Sequence, residues 1–393
     1  MTPILDGVRV VDFGRYIAGP FCAAMLADLG AEVIRVEPPK GAEDRWLMPL
    51  SPGGEGALYL QSNRGKQSLT LDTMKPEGRA VMDRLITSAE VVIANAPPAA
   101  LAQMGLEYER LQNLRPDVIL TLATAFDRTG PLAECSGFDG TGQAVSGAMY
   151  LSGLPGQPYR AATSYIDFST AISCAYGTLA AIIRKMKTGE GSLVEASLVN
   201  TALNMVTPIL MEEATGARHR TPTANRSPIA GPSDLFPTRD GWVLVQVIGR
   251  SMFHRWTALV GRPELVKDPR FASDILRGIN GAALSTIMAE WCAARSVAEC
   301  SESLSAARIP VTHLLKPGEV LDPANRLTSH LGFMQFPGIE AALPVARPPA
   351  FLAGSDFSTV APAPTLGQHS DAVLGTLGLS RDEIVELRTQ GIV

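Results

Sequence analysis

The stretch VRVVDFGRYIAGPFCAAMLADLGAEVIRVEPP, residues Val8 to Pro39, decides how the chain is read. An apolar run (8–13) leads into a loop bearing Gly14 and Gly19. A segment with apolar residues at helical spacing follows (20–30), then a second apolar run (31–36) and an acid, Glu37. Strand, loop, helix and strand in that order open a parallel α/β sheet, and nucleotides bind at its first strand-to-helix turn. A dinucleotide fingerprint, however, needs G-x-G-x-x-G so that the backbone can approach a pyrophosphate. Here Arg15, Tyr16 and Ile17 fill positions that should be bare, and Pro20 removes a donor N–H. Glu37 stands where a ribose-binding acid would, but an acid after a second strand is common. A Rossmann-like unit without a redox dinucleotide is therefore expected, with a loop still able to receive another ligand along its backbone.

The pattern continues outward. Runs at 68–72, 90–95 and 117–122 read as further buried strands, and 76–89 as a helix with Pro76 at its first position. Strands alternating with helices predict a mostly parallel sheet covered on both faces. A long helix is expected over 167–189, ending in basic residues and Gly189, then a short strand and another helix. Residues 215–233 turn polar, with Gly, Pro and Arg. Beyond them an Asp240-Gly241 turn precedes Val243, Val245 and Val247 in strand alternation. The segment 336–366 is proline-rich and reads as an extended strap. The last element is a helix opened by a capping box, Ser380 and Glu383. The organisation expected is a large Rossmann-like domain over 1–214, a linker over 215–233 and a small α+β domain over 234–335. A strap and C-terminal helix over 336–393 would return to complete the large domain.

At 393 residues the chain exceeds one compact core, which agrees with two domains. Its composition is 46% hydrophobic and 19% charged with a formal charge of −5, so nothing electrostatic favours nucleic acid or an anionic membrane. Five scattered cysteines without C-x-x-C spacing suggest a reducing, cytoplasmic setting with neither a disulfide framework nor a zinc site. The opening residues lack the pattern of a signal peptide, and no unbroken apolar run reaches the length of roughly 18 residues that a membrane span needs. A soluble chain is expected.

Common catalytic motifs are absent: no G-x-x-x-x-G-K-S/T, no H-E-x-x-H, no G-x-S-x-G, and five dispersed histidines. Two aspartates remain. Asp139 lies in the glycine-rich SGFDGTGQAVSG, where a turn-stabilising role is the ordinary reading. Asp167 lies in SYIDFSTAISCAYG, at the start of the long helix. From spacing alone its commoner use is an N-cap; the alternative is a nucleophilic carboxylate.

Together these stretches, with NRGKQSLTLDTMKPEGRAVMDRLI (63–86), GTLAAIIRKMKTGEGSLVEASL (177–198) and the closing segment from Pro348, resemble the family III CoA-transferases over nearly the whole chain. The resemblance implies that an acyl-CoA and a carboxylic acid are the substrates, that no prosthetic group is held, and that the chain forms an interlocked homodimer. It reverses the preference at Asp167, making it the residue that forms an aspartyl anhydride and then an aspartyl-CoA thioester, with Asp139 in an auxiliary role beside the reacting groups. By position it implies CoA contacts at Tyr16, Ile17 and Ala18, at Leu71 and Lys75 around the adenine, at Asn95 and Ala100, and at Leu198 near the thioester. Formyl-CoA transferase has phosphate-binding arginines where this chain has Pro38 and Gln103, which leaves Lys40, Arg45 and Lys66 as substitutes. α-Methylacyl-CoA racemase shares the fold but carries a histidine base where this chain has Phe138, and phenylalanine cannot move a proton. An acyl-CoA racemase and a CoA-thioester hydrolase are the alternative readings.

Overall fold

The computed structural model describes residues 3–350, 352–353 and 360–393. Part of the expected strap, residue 351 and residues 354–359, lies outside them. Along the chain come β1 (Arg9–Asp12), α1 (Ala18–Asp28), β2 (Glu32–Glu37), α2 (Ala57–Ser62), β3 (Lys66–Thr70), α3 (Pro76–Thr87) and β4 (Val91–Ala94). Then follow α4 (Pro98–Met104), α5 (Tyr108–Leu114), β5 (Ile119–Thr124), α6 (Asp139–Val145), α7 (Ala148–Leu151), α8 (Tyr165–Thr188), β6 (Ser192–Ser197) and α9 (Leu198–Ala214). The next run is β7 (Ser233–Pro237), β8 (Trp242–Gln246), α10 (Arg250–Leu259), α11 (Asp274–Ile279), α12 (Gly281–Ala293), α13 (Val297–Ala306), β9 (Val311–His313) and α14 (Pro317–Val320). A hairpin of β10 (Leu331–Met334) and β11 (Leu343–Ala346) precedes α15 (Ser370–Thr376) and α16 (Arg381–Thr389).

Two compact units result. The first comprises 1–147, 161–211 and 329–393. It holds a six-stranded parallel sheet in the order β3-β2-β1-β4-β5-β6. Successive strand residues point to opposite faces, and the two resulting cores are distinct. Val10, Val33, Val91 and Ile119 pack under α1 and α8, whereas Val11, Ile34, Val92 and Leu120 pack under α3, α5, α15 and α16. The order reverses between β1 and β4, and ligands of open α/β sheets bind in the crevice at such a switch point, beyond the carboxyl ends of the strands.

The start and stop signals act as the residues suggest. Pro76 occupies the first position of α3, Gly189 closes α8 in the left-handed conformation, and Ser380 and Glu383 exchange both capping bonds. By length and composition α8 would pass for a membrane span, although serines, threonines and tyrosines interrupt its apolar run. It is a core helix: 44% of that window is buried, with α1, β5 and β6 as its packing partners.

The second unit comprises 148–160 and 212–328. Its antiparallel sheet β7-β8-β9 buries Val243 and Val245, with Val247 just past β8, against α10, α12 and α13. The Asp240-Gly241 turn is closed by Thr238 N–H donating to the Gly241 carbonyl at 2.9 Å.

Candidate active site

The loop between β1 and α1 is held from below by buried charge. Asp12, at the end of β1, accepts from Gly14 N–H at 2.7 Å and pairs through its other oxygen with Lys66 Nζ at 2.7 Å. Lys66 also donates to the Pro20 carbonyl and to Asn63. Arg35 of β2 reaches the Gly14 carbonyl with one nitrogen and binds both oxygens of Asp44 with another, each at 2.9 Å. Only glycine fits at position 14, because a Cβ there would lie 2.7 Å from Asp12 Oδ1 and 2.9 Å from Pro20 N. From the other side Asn95, just past β4, brackets the Arg15 peptide. Tyr16 is thereby held at φ 62°, a region costly for a residue with a side chain.

This wiring settles several side chains. Glu37 is engaged by Arg35 and Arg45 and accepts from Ala42 N–H, so its oxygens are not free for a ribose. Burial alone would raise its carboxyl; Arg35 and Arg45 together hold it below the usual range. Arg45 and Lys66, two of the substitutes suggested for gripping phosphate, are fully buried and paired inside the same network. They are structural, because their charges are already compensated where a ligand cannot reach them. Lys75 donates to the Gln390 and Gly391 carbonyls and so caps α16.

At the carboxyl ends of β1, β2 and β3 lies a cleft of about 410 Å³. Its lining includes Gly14, Arg15, Lys40, Leu71 and Gly391. Leu71 therefore lies in the cleft and Lys75 beside it, while Tyr16, Ile17, Ala18, Asn95, Ala100 and Leu198 do not line it. Arg15 and Lys40 make no ion pair among the described residues. From residue order alone Arg15 is legible only as bulk obstructing a dinucleotide.

The two aspartates are brought together. Asp139 is the first residue of α6 and is 4% exposed. Its Oδ1 accepts from Ile166 N–H at 2.7 Å and from Asp167 N–H at 3.3 Å, and its Oδ2 accepts from the Gln143 amide. Asp167 is not an N-cap: that position belongs to Ser164, and Asp167 is the third residue of α8. Its neighbours anchor it on both sides. Ile166 is buried with Leu198 and Ala202, and the Phe168 ring meets Phe21 of α1 edge-on at 4.9 Å. The half-buried Asp167 carboxylate receives no hydrogen bond from a side chain among the described residues; the donor turned toward it is the backbone N–H of Asp139. Burial, and after it the charge of Asp139, push it up to about 7.

The two regions meet through the loop. The Tyr16 ring stands edge-on to Phe138 at 5.6 Å, and Phe138 immediately precedes Asp139. Phe138 is 63% exposed and offers no proton-transfer group. Gln143 was not singled out in the sequence, although its place four residues after Asp139 puts both on one helix face. No cluster of three or more His, Cys, Asp or Glu residues fit to hold a metal occurs among the described residues.

The sequence model of CoA-transferase family III matches residues 5–370. Succinyl-CoA–D-citramalate CoA-transferase of Chloroflexus aurantiacus is 31% identical over 402 residues, covering 99% of this chain and 98% of that protein. Succinate–glutarate CoA-transferase of Agrobacterium fabrum is 30% identical, covering 95% and 96%. Among solved structures, a CAIB/BAIF family protein from Brucella suis superposes with a TM-score of 0.83 at 29% identity, over 96% of this chain and all of that one.

Proposed function

The chain belongs to CoA-transferase family III, and on that footing we propose that it moves CoA between acids with Asp167 as the covalent acceptor. An Asp167 oxygen adds to the carbonyl of the donor thioester, the C–S bond breaks, and an aspartyl anhydride and CoA thiolate result. The thiolate attacks the aspartyl carbonyl, releasing the donor acid and leaving an aspartyl-CoA thioester. The acceptor carboxylate then attacks that thioester. The thiolate freed again takes the new acyl group, and Asp167 is regenerated. Each step exchanges one activated acyl derivative for another, so no external energy source is required.

The observation that carries this reading is the state of Asp167: a half-buried carboxylate without a side-chain donor, fixed on both sides and kept above its ordinary value by burial and by Asp139, at the foot of a loop that runs to a cleft. Such a carboxylate is a stronger nucleophile than a solvated one, and it ionises near neutral pH. CoA is placed with its nucleotide in the 410 Å³ cleft on Leu71, with Arg15 and Lys40 meeting phosphate. The pantetheine would follow Tyr16, Ile17 and Ala18, just past the Arg15 backbone that Asn95 brackets, toward Asp167 above Leu198. Lys75 contributes by fixing α16 at the cleft's edge, and Ala100 on α4 would meet CoA from the β4 side.

The names of two relatives pair succinyl-CoA with D-citramalate and succinate with glutarate. A dicarboxylyl-CoA donor and a dicarboxylic acceptor therefore come first. An interlocked homodimer fits the large apolar side chains exposed on α8 and α9, Tyr176, Met186 and Met211 among them. A cytoplasmic setting fits five free cysteines.

The test is intact-protein mass spectrometry after incubation with a panel of acyl-CoAs. A CoA adduct in thioester linkage, mapped to Asp167 and lost in Asp167→Ala with CoA binding kept, is expected. An active enzyme that never acquires the adduct, or an Asp167→Ala variant that still turns over, would overturn the reading.

A further inference from the structure

We infer that Asp139 is a positioning residue, whose carboxylate takes the amides at the start of α8 and so denies them to the Asp167 side chain. This rests on Asp167 being the nucleophile.

A helix leaves its first amides without partners, and they are ordinarily satisfied by the side chain of its own N-cap. Here the N-cap residue, Ser164, makes no such bond. The acceptor comes instead from α6, across 27 residues of sequence, and it reaches both Ile166 and Asp167. The positive end of a helix lowers the basicity of a carboxylate in its first turn, which would weaken a nucleophile placed third in α8. With a second carboxylate already on those amides, that field is spent and Asp167 faces a like charge. Its upward titration agrees with the geometry.

Both Asp139 oxygens are occupied, one by the two amides and the other by Gln143, and the residue is buried. It therefore presents nothing to a substrate. Gln143 is itself fixed, because its Oε1 accepts from Ala161 N–H at 2.9 Å on the segment leading into α8. The chain Ala161, Gln143, Asp139, Asp167 thus ties the approach to α8, the helix α6 and the reacting carboxylate into one arrangement. The residues that α1 and α9 pack against the neighbours of Asp167 are uncharged: Phe21 on Phe168, Leu198 on Ile166 and Thr201 on Thr170. The Tyr165 phenol of α8 is itself pushed up by burial and by Asp139, and stays neutral in this range. Asp139 is the charged group that acts on Asp167.

Asp139→Asn tests the inference, because the amide oxygen can still accept from both N–H groups while the charge is gone. Its NH2 displaces the Gln143 amide that Oδ2 accepted from, and Gln143→Leu, which loses that contact with the charge kept, is the control. Two readouts are taken: the carboxyl titration of Asp167 by carbon NMR of the free enzyme, identified by its loss in Asp167→Asn, and single-turnover acylation against pH. The titration midpoint and the acid limb of the acylation rate should both fall by about one pH unit or more. The plateau rate should drop about tenfold, with the Kd for acyl-CoA unchanged within about twofold. An unmoved midpoint, or a weakened Kd with the midpoint in place, would overturn it, the latter by showing direct substrate contact. If Asp139→Asn fails to fold, Gln143→Leu keeps the charge on the amides but loosens its anchor. The Asp167 midpoint should then stay raised while the plateau rate falls; a midpoint back at the ordinary carboxylate value would count against the inference. Absence of any adduct on the wild-type enzyme sinks the covalent mechanism, whereas the titration readout judges Asp139 by itself.

Discussion

Asn95 brackets the Arg15 peptide: its Oδ1 accepts from Arg15 N–H and its Nδ2 donates to the Arg15 carbonyl, each at 2.7 Å. Two bonds from one side chain on opposite sides of the sheet's switch point hold the β1–α1 loop against β4. Asn95→Ala removes both. We expect the Michaelis constant for acyl-CoA to rise about tenfold with kcat reduced less, because the loop guides CoA while Asp167 is anchored elsewhere. Stability should fall by about 1–3 kcal/mol as two polar backbone groups lose partners. A kinetic comparison and a urea titration check both; an unchanged Michaelis constant would show that CoA does not follow this loop.

Asp167 carries a second consequence, in stability. Its folded value is raised, so the folded protein keeps this proton over a range in which the unfolded chain has released it. The wild-type protein is therefore penalised progressively as pH climbs from about 4 to about 7, and the full penalty persists above. Asp167→Asn removes the charge. The variant should match the wild type near pH 4 and exceed it by roughly 1–2 kcal/mol at pH 8, a figure reduced for partial solvent screening. Melting curves across that range decide it, and a gain that is flat with pH would show that the carboxylate is not perturbed.

Much of this was legible from residue order. Alternating apolar runs fixed the parallel sheet, since a strand buried on both faces reads as continuous apolar sequence, and Val10 and Val11 do serve opposite cores. Gly189, Pro76 and the Ser380–Glu383 pair acted through purely local geometry. What was not legible is partner choice among charges. Arg45 and Lys66 look from sequence like cations available to phosphate, and only the fold reveals that Glu37 and Asp12 consume them. Asp167 resembled a cap for the same reason: helix starts attract aspartate whether or not the side chain turns back on its own helix, and here a residue from α6 does that work.

The buried charges under the loop should be severe to disturb. Arg35 holds both oxygens of Asp44, lies 3.4 Å from Glu37 and bonds the Gly14 carbonyl, with none of its side chain exposed. Arg35→Met would leave two carboxylates short of compensation in a dry interior. A loss of about 3–5 kcal/mol is expected, measured by chemical denaturation. A loss below about 1 kcal/mol would mean that water or rearranged partners replace the guanidinium.

A last prediction concerns Gly142, three residues into α6 from Asp139, where α6 crosses the start of α8. A Cβ added there would lie 2.8 Å from Ile166 Cγ2 and 3.1 Å from the Leu198 carbonyl oxygen. Both atoms belong to well-packed residues, so α6 itself would have to move outward. Gly142→Ala should therefore lengthen the bonds from Asp139 to Ile166 and Asp167, cutting turnover about tenfold or more at a stability cost of about 1–3 kcal/mol. Gly375→Ala is the control: it lies in α15, nothing stands within 4 Å of the added carbon, and alanine favours the helix, so activity should be unchanged and stability level or slightly higher. If Gly142→Ala kept wild-type turnover, close seating of α6 on α8 would not be needed for the chemistry at Asp167.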